Sequence, residues 1–427
     1  MSIPSSPPAG RHLALLVHTL AGGGIERVVL TLARAFAACG HRVDVLACRP
    51  DGRTAGEVPA GVRVVPLRAA PRPLAHGAMV AADPGALGAM GPILRAIKPP
   101  WEIRHLPALA RYLKAARPDI VLAGNTPVNL IALWARRLVR SKARVFVTEH
   151  GNFSAQIASA RHRARRAYPA LVHRAYGEAD GIIAVSHGLA DDLARCAGLP
   201  RGRIATIPNP VSGPEIDRLA AEPLDHPWFG PDQPPVILTA GRLSQRQKDY
   251  ATLLRAFAHV RAVRPVRLLV LGDGRDRGRI EHQARLAAPD FIDDIAFPGW
   301  VDNPFAYMAR AAVFVLSSPA EGFGNVLVEA MACGCPVVST DSPYGPGEIL
   351  DRGRYGALTP VGDASALAEA LLRTLEVPPS PDILRRRAAD FSVERVVDEY
   401  LALLLGPASG ASSPDAPKAQ ISLDNGK

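Results

Sequence analysis

The chain has 427 residues, 48% of them hydrophobic and 21% charged, which is the make-up of an ordinary globular protein and leaves room for two α/β domains of roughly 100 to 200 residues each. Its net charge of +10 is uneven: residues 1–180 hold 25 Lys and Arg against 10 Asp and Glu, whereas the remainder is acidic by 5. Aromatic residues make up only 5% and do not interleave with the basic clusters, so the surplus does not read as a nucleic-acid surface.

Residues 1–10, rich in Pro, Ser and Ala, bury too little apolar surface to offset chain entropy and are expected to be flexible. A strand follows at 12–18; its apolar run is too short for a secretory signal and leads into glycines rather than a cleavage site. Strand patterns recur at 42–47, 62–66, 120–123, 144–148, 181–185 and 204–207, with helical patterns at 25–38, 105–116, 128–138, 158–176 and 187–197 between them. That alternation predicts a parallel sheet with crossover helices over 11–209. Residues 75–101, apolar but laced with Gly and Pro, read as an inserted loop or short helices; the choice is between a surface touching membrane or lipid and an irregular insertion.

Two basic clusters, Arg136, Arg137, Arg140, Lys142 and Arg144, then Arg161, Arg163, Arg165 and Arg166, are candidates to face anionic lipid or a phosphate-bearing acceptor; the other reading is an ordinary solvated surface. A polar, Pro-rich linker at 210–235 opens a second series. Its strands fall at 236–240, 267–271, 295–297, 313–316, 336–339 and 356–358, and its helices at 250–261, 276–286, 304–310, 326–332, 364–375 and 393–403. The second domain is expected over 236–390, a helix crossing back at 391–405, and a flexible tail at 406–427. The five scattered cysteines read as buried thiols in a reducing compartment, and no stretch reaches the roughly 18 to 20 apolar residues that span a bilayer. The expected location is the cytosol, with peripheral attachment to the inner face of the plasma membrane as an option.

Three loops carry candidate chemistry, each between a predicted strand and a helix, where a doubly wound sheet takes its ligands. Gly22, Gly23 and Gly24 let backbone N–H groups approach an anion, but the run is not G-x-G-x-x-G and does not read as a dinucleotide site. Arg242 and Lys248, six residues apart, are placed to clamp a diphosphate and stabilise it as a leaving group. The stretch from Ser317 to Ala332 supplies Glu321, the N–H groups of Gly322, Phe323, Gly324 and Asn325, and Glu329, a mixture suited to phosphate and sugar hydroxyls.

The string EGFGNVLVEAMACGCPVVST, with GRLSQRQKDY before it and GEIL after it, resembles the nucleotide-sugar half of the retaining group-4 glycosyltransferases of the GT-B fold. The resemblance implies two Rossmann-like domains with parallel sheets facing across a cleft, and roles for single residues. Glu321 would hold sugar hydroxyls and act in catalysis, Glu329 the ribose, Arg242 and Lys248 the diphosphate, and the Gly299-Trp300-Val301 backbone the base. His150, in Glu149-His150-Gly151, matches a histidine that approaches the donor sugar in that family. Asn209 also matches, although Pro210 stands where a glycine is more usual. The implied partners are a nucleotide-sugar donor, with UDP as the base by analogy, and a glycan or lipid-linked acceptor such as a polyprenyl-diphosphate sugar in surface-polysaccharide assembly. No cofactor or metal is expected, because cationic side chains replace it. A nucleotide-sugar epimerase of the same fold and a noncatalytic nucleotide-sugar-binding protein are the alternatives.

Overall fold

A computed structural model describes residues 10–158 and 163–406. The flexible ends expected from the sequence lie outside these residues, apart from Gly10 and Gly406, as does Arg161 of the second basic cluster.

Two parallel sheets are observed. The first holds β1 (His12–Thr19), β2 (Arg42–Arg49), β3 (Arg63–Pro66), β4 (Ile120–Gly124), β5 (Arg144–Glu149), β6 (Gly181–Ala184) and β7 (Ile204–Thr206) in the order β3-β2-β1-β4-β5-β6-β7. The second holds β8 (Val236–Ala240), β9 (Arg267–Leu271), β10 (Ile295–Gly299), β11 (Val313–Leu316), β12 (Val337–Thr340) and β13 (Ala357–Thr359) in the order β10-β9-β8-β11-β12-β13. Strands in such sheets are covered on both faces and so read as unbroken apolar runs. In β1, Leu13, Leu15 and Val17 enter one core while Ala14 and Leu16 enter the other. Strand order reverses between β1 and β4 and again between β8 and β11, which opens a crevice at the carboxyl edge of each sheet.

Two expectations need correction, and one choice is settled. Of the loop or short helices expected at residues 75–101, short helices are observed: Arg72–Ala82, Leu87–Leu94 and a 3-10 turn, Trp101–His105, with Ala75, Met79, Met90 and Ile93 fully buried rather than in an irregular insertion. The Gly and Pro residues obscured an apolar face at helical spacing. The single helix expected at 158–176 is broken into Phe153–Ala158, a 3-10 turn at Arg163–Ala167 and Tyr168–Tyr176; Pro169, which lacks an N–H, suits the first turn of a new helix rather than the middle of an old one. Of the five thiols Cys48, Cys333 and Cys335 are buried, but Cys39 is exposed just past the helix Gly24–Ala38 and Cys196 is half-buried. Three members of the basic cluster around 136–144 are engaged within the fold. Arg136 pairs with Asp180 at 2.6 Å, Arg137 with Asp83 at 2.8 Å and with Glu178, and Arg144 donates to the carbonyls of Leu404 and Gly406.

The two sheets are joined by specific contacts across the cleft. Ser186 Oγ donates to the carbonyl of Gly322 at 2.9 Å, and Asn209 Nδ2 to Asn325 Oδ1 at 2.8 Å. The free N–H groups of His187 and Gly188, which open the helix His187–Ala197, donate to the Glu348 carboxylate at 2.9 and 2.8 Å. An anion at a helix N-terminus satisfies orphan donors and meets the positive end of the helix dipole. The last helix, Val393–Leu405, returns to the first sheet, burying Val396, Val397, Tyr400 and Leu404 in the core that holds Leu13 and Phe36. Replacing Glu348 by alanine is expected to destabilise the chain by about 1 kcal/mol and to loosen the cleft. A lowered Tm together with a larger radius of gyration in X-ray scattering would show it, and an unchanged pair would refute it.

Candidate active site

The residues singled out from sequence come together in one cavity of about 530 Å³ between the sheets. Gly22, Gly23, Gly24 and His150 line it from the first sheet; Arg242, Lys248, Trp300, Val301, Glu321 to Asn325 and Glu329 line it from the second. Most sit at the carboxyl end of a strand or in the loop after it, the glycines beyond β1, His150 beyond β5, Arg242 beyond β8, Trp300 beyond β10 and Glu321 beyond β11, whereas Lys248 and Glu329 lie in the helices Gln245–Lys248 and Asn325–Ala332 that follow β8 and β11.

The walls come very close. A Cβ on Gly322 would fall 2.0 Å from the His150 carbonyl oxygen, so only glycine lets the two main chains pass there. On the opposite wall a Cβ on Gly23 would meet Glu26 Oε2 at 2.5 Å and stand 3.6 Å from Arg242 Nη2. The helix Asn325–Ala332 begins at the cavity, and its first N–H groups have no intrahelical partner, so that end is suited to an anion. Phe323 contributes main chain only: its ring is 4% exposed and packs edge-on against Phe391 at 5.4 Å.

The charges have distinct surroundings. Arg242 is exposed and has no carboxylate partner among the described residues. Lys248 Nζ, in contrast, lies 2.6 Å from Glu321 Oε1, so the two residues assigned to diphosphate and sugar hold each other. The Glu329 side chain is 12% exposed, and its desolvation raises the carboxyl above the usual range, with Arg27 and Lys248 opposing. The Trp300 ring is 41% exposed, and the Arg27 guanidinium stands 5.9 Å from its centroid and 4.0 Å from Glu329. The sequence reading missed Arg27. It lies in the first turn of the helix that the glycines open, so its place next to a recognised loop was the signal available.

His150 is held as a neutral ring. Burial pulls it down to about 4, with Asn209 opposing. Thr148 spends its one proton on the Ala123 carbonyl at 2.9 Å, so toward His150 Nε2, 3.0 Å away, it accepts. That places a proton on Nε2, and the Asn209 side chain is the ring's other hydrogen-bonding neighbour. Beneath it, Glu149 is fully buried. Burial pushes its carboxyl up to about 7 against hydrogen bonds from Tyr176 at 2.5 Å, Thr126 at 2.8 Å and Asn129 at 3.1 Å. Among the described residues no group of three or more His, Cys, Asp or Glu stands close enough to hold a metal ion.

With this geometry the comparisons become specific. A family described as "Glycosyltransferase Family 4" matches residues 22–212, which takes in the first sheet apart from β1, and one described as "Glycosyl transferases group 1" matches 234–377, which takes in the whole of the second. The chain is a glycosyltransferase of the GT-B fold. It is 27% identical over 332 residues, 74% of its length and 83% of the relative's, to N-acetylgalactosamine-N,N'-diacetylbacillosaminyl-diphospho-undecaprenol 4-alpha-N-acetylgalactosaminyltransferase of Campylobacter jejuni. It is 28% identical to the glycogen synthase of Mycobacterium tuberculosis, over 92% of this chain and 93% of that one. Among solved structures it resembles Anabaena HepE in complex with UDP and glucose, with a TM-score of 0.70 at 20% identity over 93% of this chain and all of that one. Sucrose-phosphate synthase from Thermosynechococcus elongatus superposes with a TM-score of 0.71 at 23% identity, over 92% of this chain and 97% of that one. As a GT-B glycosyltransferase of these families, the protein acts on nucleotide sugars.

The Glu149–His150 pair makes a pH prediction for this glycosyltransferase. Between pH 4.5, the ordinary value, and about 7 the unfolded chain releases the Glu149 proton while the folded chain keeps it, so this group's stabilisation falls as pH rises through that window. His150 acts oppositely: between 6.5 and about 4 only the unfolded chain takes up a proton, so its contribution is lost as pH falls. Relative to wild type, Glu149→Gln is therefore expected to gain Tm steadily from pH 5 to 7 and then level off. A difference that stays flat across that range would show that the carboxyl ionises normally.

Proposed function

We propose that this glycosyltransferase moves a sugar from a UDP-sugar to a lipid-linked glycan acceptor with retention of anomeric configuration and without a metal ion. The observation that carries the reading is the union, in one cavity, of an arginine with no carboxylate partner among the described residues, a lysine and a helix N-terminus on one side with a neutral histidine on the other. The base stacks on the exposed ring of Trp300 or on the adjoining backbone, and the ribose hydroxyls bond Glu329. Arg242, Lys248 and the N–H groups of Gly324 and Asn325 receive the diphosphate, whose charge grows as the bond to the sugar breaks. Glu321 accepts hydrogen bonds from the sugar hydroxyls, and His150 meets one more.

In the transfer step the bond between anomeric carbon and phosphate oxygen breaks, and its electron pair stays on the phosphate. The acceptor hydroxyl adds to the same face of the sugar, and its proton passes to the departing phosphate oxygen. Positive side chains stabilise the leaving group where a metal otherwise would, and cleft closure keeps water from intercepting the sugar.

The Campylobacter jejuni relative is named for a diphospho-undecaprenol acceptor, which supports a lipid-linked acceptor here. No helix among the described residues is long and apolar enough to cross a membrane. Leu74, Leu87 and Ile97, 59%, 52% and 88% exposed on the segment that carries Lys98, support peripheral docking to an anionic surface.

With UDP-sugar and a lipid extract, proton NMR of the product is expected to give the donor's anomeric configuration, and excess EDTA to leave the rate unchanged. An inverted product or an EDTA-sensitive rate would overturn those elements; donor consumed without any acceptor and recovered as its epimer would favour the epimerase instead. Arg242→Ala is expected to weaken UDP binding by about 10- to 100-fold in titration calorimetry.

A further inference from the structure

A second cluster of polar and aromatic groups stands at the carboxyl edge of the first sheet, beside the cavity. The Arg49 guanidinium, at the end of β2, lies 4.1 Å from the centroid of the Trp101 ring. His18, near the end of β1, meets the edge of that ring at 4.5 Å, and its Nδ1 lies 2.8 Å from Glu102 Oε1. His105 closes another edge at 5.3 Å. Glu102 is 6% exposed, whereas Arg49 is exposed and has no carboxylate partner among the described residues.

The cluster adjoins the reaction centre. Leu20 N–H donates to the Arg49 carbonyl at 3.0 Å, and the next residues, Ala21 to Gly24, line the donor cavity. His18, within β1, and His150, just after β5, belong to strands two positions apart in the sheet, or roughly 10 Å at the usual strand spacing. The Tyr168 phenol is pushed up by burial and by Glu102, with Arg165 opposing.

Anchoring the 72–105 segment does not explain Arg49. That segment is already tied by Arg104, whose carbonyl accepts from Ala70 N–H at 2.7 Å and whose Nε donates to the Ala70 carbonyl at 2.9 Å, and by His105 Nδ1 at 2.8 Å from the Leu67 carbonyl. What Arg49 provides instead is a planar fork over an indole, with no hydrogen-bond partner for its guanidinium N–H groups among the described residues, the arrangement that receives phosphate. Beside it, the His18–Glu102 pair supplies donor and acceptor atoms for sugar hydroxyls.

Resting on the transferase reading above, we infer that Arg49, Trp101, His18 and Glu102 form the acceptor subsite, and that this subsite selects an acceptor sugar bearing a phosphoryl group. Arg49 grips the phosphoryl oxygens, and the His18–Glu102 pair orients the sugar ring toward the anomeric carbon of the donor near His150. The selectivity is for the anion; the lipid, where present, lies beyond it.

The test uses the full chain with saturating UDP-sugar and glucose, galactose, N-acetylglucosamine or N-acetylgalactosamine in three forms: the octyl glycoside, the soluble 1-phosphate and the farnesyl-diphosphate-linked sugar in detergent micelles. Wild type is expected to prefer the phosphorylated forms. Arg49→Ala is expected to raise their KM by about tenfold or more, with kcat, the rate on octyl glycosides and acceptor-free donor hydrolysis unchanged, and Arg49→Lys to recover part of the loss. A loss on both phosphorylated forms assigns recognition to the phosphoryl group itself, and a loss on the farnesyl form alone assigns it to the lipid-linked source; either supports the subsite. A wild-type KM for Arg49→Ala on every phosphorylated acceptor, or an equal loss on octyl glycosides, overturns it. Wild-type chain that transfers to none of the acceptors and does not turn over donor would instead overturn the transferase reading.

Discussion

The cleft depends on how closely two main chains pass at Gly322 and His150. A methyl group on Gly322 has no room, so the loop after β11 is pressed against the loop after β5. That contact brings a neutral imidazole from one sheet to the anion-binding end of a helix from the other. Ser186 fixes the same loop through the Gly322 carbonyl, and Glu348 seals the neighbouring seam by satisfying two N–H groups of the opposite domain. The reactive geometry is therefore a property of the pairing, and neither sheet holds it alone.

Much of the fold was legible because buried parallel strands leave unbroken apolar runs. All thirteen strands lie where such runs occur, within a residue or two at each end. Legibility failed where Gly and Pro outvoted periodicity. The helices Arg72–Ala82 and Leu87–Leu94 carry Pro73, Gly77, Gly88, Gly91 and Pro92, which lower local propensity, yet the buried Ala75, Met79, Met90 and Ile93 hold them against the core. Tertiary burial outweighed local preference there. The helix Pro381–Ala389 escaped for another reason: only Leu384 and Ala388 are buried, so it shows almost no apolar stripe.

The cavity wall from Glu321 to Glu329 was legible because its residues are clustered in sequence: a strand end, a glycine-bearing loop and a helix start within one short string. Arg27, Arg49 and Trp101 were not, since each draws its meaning from a partner far along the chain. Arg27 is defined by Glu329 and Trp300, and Arg49 by Trp101, fifty-two positions later. No spacing rule joins such residues before the sheet order is known. The same holds for the Lys248–Glu321 pair, whose members were assigned to different parts of one ligand and are in fact each other's neighbours.

That pair bears on turnover. On the proposed reading, a lysine that already owns a counter-ion exchanges a carboxylate for an incoming phosphoryl oxygen when substrate loads, and exchanges back once the spent nucleotide is ready to depart. Affinity for the diphosphate would then be held below what two free cations give, with the carboxylate as a built-in competitor against retention of the by-product.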